Sequence, residues 1–243
     1  METLDEVQPW GITQYTIIPG SHISFHTKRA KIDFITNPHF GRMLFIDGIL
    51  QCAQADEHIY HEAIVESSNA FAAASANPVA EAEAEAVRVL IAGGAEGAVV
   101  RELLKYPNVQ SITMVDWDEE LVNHMRTESF AKGSFESPLL TIKHTDIIEF
   151  LTYTDEIFHT MILDLLDPQS NDEVKWLSAV THLAFTHLAY GGTLVLNAGG
   201  NYERVFELKE LVSKGNTYEI YEKEIFVPSF QEMWYLITVR RRI

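Results

Sequence analysis

Two aspartates, Asp164 and Asp167, stand three apart in the stretch MILDLLDPQS, behind an apolar run and ahead of a proline. Carboxylates delivered to a loop by a buried run can hold a cation or take a proton from a nucleophile. The same pair also suits an ordinary polar loop exit. A second candidate is GGAEG, Gly93 to Gly97, at the end of the run VRVLIAGG. Gly93 and Gly94 would let a ligand approach the backbone where a helix begins. The stretch lacks GxGxxG spacing and equally suits a tight strand–helix turn. Asp116 follows about 20 residues later, where an acid bonds ribose hydroxyls and disfavours a 2′-phosphate. Its plainer role is to partner Asp118 at a helix start. Trp117 beside it either borders an adenine or packs in the core.

These side chains need a frame, and the patterning supplies one. From Val87 onward, apolar runs alternate with helical stretches. VRVLIAGG, VQSITMVDWD, LLTIKHTD, FHTMILDLLDP and TLVLNAGG read as five buried parallel strands. Helices are expected over Ala98–Tyr106, from Asp118 to about Glu128, through Phe150, over Asp172–Tyr190 (ended by Gly191-Gly192) and over Tyr202–Val212. TYEIYEKEIFVP and EMWYLITVRRR have no helix between them and should pair antiparallel at the sheet edge. The expected fold is therefore α/β, a Rossmann-like, doubly wound sheet of the class I methyltransferase type over residues 87–243. Residues 1–54 read as a small antiparallel domain of β-hairpins, punctuated at Pro19-Gly20, Asn37-Pro38, Gly41 and Asp47-Gly48. Residues 55–86 would connect the two, first as a helix capped by Asp56 and then as an Ala/Glu linker.

In such sheets ligands bind beyond the carboxyl ends of the strands. The exits here carry Glu96, Asp116, Asp146, and Asp164 with Asp167, while the fifth carries Asn197. A row of acids is a poor seat for a pyrophosphate and a good one for a cation. S-adenosylmethionine carries a sulfonium, and its decarboxylated form adds an ammonium without a carboxylate. The pattern thus favours a sulfonium-donor transferase over a dehydrogenase, with no metal required.

The bulk properties fit. The chain has 243 residues, 47% hydrophobic, with 18 Lys plus Arg against 35 Asp plus Glu, a net charge of −17. That surface repels phosphate backbones, so nucleic acid is not an expected partner. No run approaches a membrane span, and METLDEVQPW lacks the pattern of a signal peptide. With one cysteine, Cys52, no disulfide can form within the chain, and a cytoplasmic setting is expected.

The ordered motifs resemble the spermidine synthase (polyamine aminopropyltransferase) family from about Phe34 to about Tyr235. FGRMLFIDGILQCAQADEHIYHEAI is similar to that family's FGxxLxLDGxxQxTxxDExxYHEM, and VLIAGGAEGAVVRELLKYPNV to its VLxxGGGDGGxxREvxKHxxV. MVDWDEELV, HTDIIEF and ILDLLDP fall where the family has VEID-like, GDGxxF and DSSDP stretches. The resemblance implies that Gln51 and His61 help hold the donor, with Gly93, Gly94 and Trp117 around it. Glu96 would read its amino group, Asp116 its ribose and Asp146 the adenine side. Asp164 would be the acid–base residue, with Tyr60 beside it; Tyr60, Asp167 and Phe230 would face the acceptor. It also implies transfer of an aminopropyl group from decarboxylated S-adenosylmethionine to a small cationic amine, release of methylthioadenosine, and a homodimer.

Departures cluster on the acceptor side. The family's GGGDG is GGAEG, and the serines of DSSDP are Leu165 and Leu166. QSNDEVKWL replaces a gating-loop sequence, Phe230 replaces the tyrosine of VPxY, and Arg29-Ala30 replaces YQ. Typical members also continue past the point matching Ile243 into a helical tail. Some relatives transfer an amino-carboxypropyl group from S-adenosylmethionine itself to peptide–nucleotide acceptors, so that chemistry remains open, as do a methyltransferase on the same sheet and a non-catalytic nucleoside-binding homologue. The remaining candidates have plain readings. His58 and His61 lack a third zinc ligand on their helix, His182 and His187 are surface or boundary residues, Cys52 is a buried apolar residue, and the terminal arginines are a solvated strand end.

Overall fold

The computed structural model describes residues 2–8, 11–68, 86–213 and 218–242. The Ala/Glu linker falls almost wholly outside them. Seven strands form one sheet: β7 (Val87–Gly93), β8 (Val109–Val115), β9 (Leu140–Lys143), β10 (Phe158–Asp164), β11 (Leu188–Gly199), β12 (Tyr218–Val227) and β13 (Glu232–Arg241), in the order β12-β13-β11-β10-β7-β8-β9. β7 to β11 are parallel, and β13 runs antiparallel to both β11 and β12. The expected edge hairpin is therefore present.

The continuous apolar runs are explained by burial on both faces. Val89, Ile91, Ile112, Met114 and Ile162 face α1 (Glu57–Ser67), α2 (Ala98–Leu103) and α3 (Glu119–Met125). Leu90, Ala92, Val115, Met161 and Leu163 face α4 (Ile147–Tyr153), α5 (Asn171–Phe185) and α6 (Tyr202–Val212). The chain runs outward from β7 through β8 to β9, then returns to place β10 on the other side of β7. The switch point, where a ligand crevice opens, lies between β7 and β10.

The N-terminal region makes two sheets. β3 (Ile23–His26), β4 (Lys31–Asn37), β5 (Gly41–Ile46) and β6 (Ile49–Ala53) form one, and β1 (Thr3–Gln8) and β2 (Gly11–Thr16) a separate hairpin. β5 turns into β6 through Asp47 (φ 50°) and Gly48 (φ 82°), the two positive φ values of a tight hairpin turn. This region is bonded to the large sheet's flank at α3 and the turn that follows it. The Thr27 hydroxyl donates to Asp118 at 2.6 Å, the Lys28 amide to Glu120 at 3.0 Å, and Arg42 pairs with Glu128 at 2.8 Å.

Three local expectations need correction. β1 carries two adjacent acids, Asp5 and Glu6, and lies ahead of TQYTIIPG, the first run of the hairpin region that reads as a strand. α5 ends at Phe185, not Tyr190, and Gly191-Gly192 lie inside β11. There they form an irregularity in its pairing with β10, where Phe158 pairs with Leu188 but Thr160 with Thr193. A Cβ on Gly192 would lie 2.9 Å from the carbonyl oxygens of Ala189 and His159, so these glycines permit close backbone approach in a strand rather than ending a helix. Asp56 precedes α1 but makes no side-chain cap bond.

Candidate active site

The carboxyl ends of β7 and β10 share a rung, Gly93 paired with Asp164. Gly93 has φ +83°, and a Cβ there would lie 1.9 Å from the Asp164 carbonyl oxygen. Only glycine lets the two strand ends close to this distance.

α1 brings Tyr60 and His61 to the same place. The Tyr60 hydroxyl donates to Asp164 Oδ1 at 2.6 Å. Burial pushes the Asp164 carboxyl up, Glu96 adds repulsion, and Tyr60 and the His61 charge oppose them, leaving it at about 7. Burial also raises Asp167, to about 6, with further repulsion from Glu232, Glu173 and Glu6. Asp167 accepts from the Asn197 amide at 2.7 Å, and the Trp234 indole N–H holds Asn197 in turn at 2.8 Å.

His61 belongs to a chain of alternating charges. Its Nδ1 lies 2.7 Å from Glu57 and its Nε2 lies 3.3 Å from Glu96. Arg101 grips both Glu57 oxygens at 2.9 Å. Burial alone would lower the imidazole, but the two carboxylates win and raise it to about 10. Burial alone would raise Glu57, but His61 and Arg101 hold it at about 2. His61, Glu96 and Asp164 present ligand atoms within 4.8 Å of one another, a spacing that could hold a cation. A His61 protonated between two carboxylates offers no lone pair to a metal, so the grouping better suits an organic cation held by Glu96 and Asp164.

The nucleoside-side candidates are less uniform. Asp116 is buried at the end of β8, with its carboxyl raised to about 6 by burial, and its Oδ1 accepts the Asp118 amide at 2.8 Å. Asp118 caps α3 by accepting the Leu121 amide at 3.0 Å, so the capping partnership is present and leaves Asp116 Oδ2 for a ligand. Asp146 uses Oδ1 to cap α4, accepting from the amides of Ile148 (2.7 Å) and Glu149 (3.3 Å). Trp117 is 55% exposed, with the Arg29 guanidinium 4.7 Å from its ring centre, so it is not core packing. Gln51 is exposed and its amide folds back to Ile49 at 3.2 Å, though it lines a depression with Tyr60, His61 and Phe230.

Glu57 and Arg101, 44 residues apart, went unremarked as site residues. The Glu57–His61 spacing of four on a helix was the available signal. Nothing local pointed to Arg101.

These groups give stability a pH dependence of definite sign. Asp116, Asp164 and Asp167 hold protons more tightly folded than unfolded, so each penalises folding increasingly as pH rises from about 4 to its folded value. His61 contributes stability fully below about 6.5, and this is lost as pH rises through about 10. Glu57 changes nothing above about 4.5. Without ligand, the melting temperature should fall by several degrees between pH 5.5 and 9, as scanning calorimetry would measure. A flat or rising profile would contradict these assignments.

The chain matches the family model described as the spermine/spermidine synthase domain over residues 57–242, and it belongs to that family. Among curated relatives, the polyamine aminopropyltransferase of Thermococcus onnurineus is 30% identical over 177 residues, 72% of this chain and 59% of its own length. Polyamine aminopropyltransferase 1 of Pseudomonas aeruginosa is 30% identical over 190 residues, 77% of this chain and 63% of its own. The matched stretch thus spans about three fifths of these relatives. The fold is similar to that of spermidine synthase from Thermotoga maritima, with a TM-score of 0.82 and 19% identity over 99% of this chain and 79% of that one. A spermidine synthase in complex with the transition state analogue AdoDATO gives the same score at 18% identity, over 98% of this chain and 79% of that one. Among the described residues no helix is long and apolar enough to cross a membrane.

Proposed function

We propose that this protein transfers an aminopropyl group from decarboxylated S-adenosylmethionine to an amine, releasing methylthioadenosine. The observation that carries the reading is the Tyr60–Asp164 pair, its tyrosine buried and its carboxylate partly buried, with Asp167 close by and the nearest cations already neutralised. A carboxyl balanced near neutral pH is suited to act as a base.

An acceptor enters as an ammonium, with a pKa of about 10.4 for a lysine-like group, and has no lone pair. Asp164 takes the proton, directly or through water. The freed nitrogen attacks the methylene beside the sulfonium. A C–N bond forms, the C–S bond breaks, and its electron pair leaves with sulfur as the neutral thioether methylthioadenosine. Asp167 and Tyr60 hold the acceptor, and Phe230 supplies an apolar wall. Gly93 and Gly94 allow close approach of the donor, Asp116 Oδ2 bonds ribose, Trp117 and Asp146 border the adenine, Gln51 closes the rim, and Glu96 and His61 face the tail. Holding both partners in line supplies much of the remaining rate.

The same charges bear on the donor's carboxylation state. His61 is committed to Glu57 and Glu96, and Arg101 to Glu57 and Glu102. Neither is free to receive an α-carboxylate, which supports the decarboxylated donor. Incubation with each donor form and a series of amines, followed by identification of the released nucleoside, tests the reading. Methylthioadenosine formed only with the decarboxylated donor and an amine is the expected result. Adenosylhomocysteine would replace the proposal with methyl transfer, and amino-carboxypropyl products would overturn the donor assignment.

A further inference from the structure

Asp56, which does not cap α1, has a different partner. Its Oδ2 accepts the Ser229 amide at 2.6 Å and its Oδ1 accepts the Ser229 hydroxyl at 2.9 Å. Asp56 is 5% exposed and Ser229 fully buried. Ser229 lies in the turn joining β12 to β13, where the Phe230 amide donates to Val227 at 3.1 Å and Gln231 takes φ +61°. Behind the turn, the Tyr15 hydroxyl lies 3.3 Å from the Ser229 carbonyl and 3.0 Å from Glu6, and Glu6 accepts the Leu50 amide at 3.0 Å. A buried polar chain therefore runs from β1 through Tyr15 and Ser229 to the start of α1.

The turn walls the depression that Tyr60 and His61 line from the other side. Phe230 packs on Trp234, with ring centres 4.7 Å apart, and Trp234 holds the Asn197 that holds Asp167. Asp56 is four residues ahead of Tyr60 on the same chain segment, so its two bonds fix the turn against the element bearing Tyr60.

We propose that Asp56 and Ser229 are positioning residues that set the acceptor wall, fixing Phe230 and Asp167 relative to Tyr60 and Asp164. This rests on the reading of Tyr60, Asp167 and Phe230 as the acceptor side. Asp56→Ala would leave a buried amide and hydroxyl unpaired, which frees the turn. Asp56→Asn keeps an acceptor for the amide and a donor for the hydroxyl, so it should rescue. Ser229→Ala removes one bond and serves if Asp56→Ala fails to fold.

The expected result for Asp56→Ala is an acceptor KM raised about 10-fold or more, with kcat and methylthioadenosine affinity within about 2-fold of the parent, and faster amide exchange confined to residues 227–231. Asp56→Asn should stay near the parent, and Ser229→Ala should fall between. Unchanged exchange in that turn, or equal losses on the donor and acceptor sides, would overturn the proposal. If no amine is a substrate, the transferase reading fails by itself; exchange and methylthioadenosine binding still decide whether Asp56 holds the turn independently of the donor side.

Discussion

Asp164→Asn is expected to lower kcat by about 10²–10⁴-fold, the usual worth of a positioned general base. Asparagine keeps the shape of the side chain and can still accept the Tyr60 hydroxyl through its carbonyl oxygen. What it loses is the capacity to take the acceptor's proton. Methylthioadenosine affinity should therefore stay within about 3-fold of the parent. The parent's kcat/KM should rise with pH through about 7, because the deprotonated carboxylate is the active form. A bound sulfonium favours the anion, so the corresponding rise in kcat should lie at lower pH. For the same reason, donor binding near pH 7 should release a fraction of a proton, visible as a dependence of the calorimetric heat on buffer ionisation enthalpy. That release should be missing in Asp164→Asn. Full activity in this variant, or proton release that survives it, would remove Asp164 as the base.

The second large effect is structural. Gly93→Ala would place a Cβ 1.9 Å from the Asp164 carbonyl oxygen and 2.9 Å from its carbon, at φ +83°. Overpacking costs about 1–3 kcal/mol and a left-handed non-glycine residue about 1–3 kcal/mol more. Against a typical total stability of about 5–15 kcal/mol, a melting temperature lower by roughly 5–20 °C is expected. Relief of the clash must separate β7 from β10, so activity should be lost even where the variant folds. Gly20→Ala isolates the backbone contribution, since Gly20 has φ +78° and nothing within 4 Å of its would-be Cβ. Thermal unfolding of the two variants side by side tests the argument. Equal losses would mean that the strand contact contributes nothing.

Much of this molecule was legible in its residues, for reasons that differ by element. β7 and β10 announced themselves because burial on both faces demands unbroken apolar runs, and the topology rule then sent attention to their carboxyl ends. Asp164, Asp167, Glu96 and Asp116 followed from that rule alone. The end of α5 was misplaced because Gly191-Gly192 reads alike as a helix stop and as a strand irregularity; only the pairing with Phe158 and Thr160 distinguishes them. β1 was missed because Asp5 and Glu6 look like loop, whereas Glu6 is paid for by Tyr15, Gln8 and the Leu50 amide, all brought by folding. Asp56 was given the local role its spacing allowed, while its partner lies 173 residues away. Arg101 is invisible for the same reason. Local spacing carries periodicity and caps, whereas the partner of a buried charge is set by which elements meet.

The two halves of the proposed site hang from different parts of the large sheet. The groups read as donor-side come from parallel strands whose ends interlock, as the shared rung of Gly93 and Asp164 illustrates. The wall proposed for the acceptor hangs from the turn of the antiparallel edge hairpin, β12 and β13, whose outer strand β12 pairs, among the described residues, with β13 alone. A substitution in the first group disturbs several strands at once, whereas the turn is held to the rest of the molecule by a few bonds, those of Ser229 to Asp56 and Tyr15 among them. Under the proposed reading, a new acceptor is reached by changing a few residues around Phe230, with the donor-side groups left as they were.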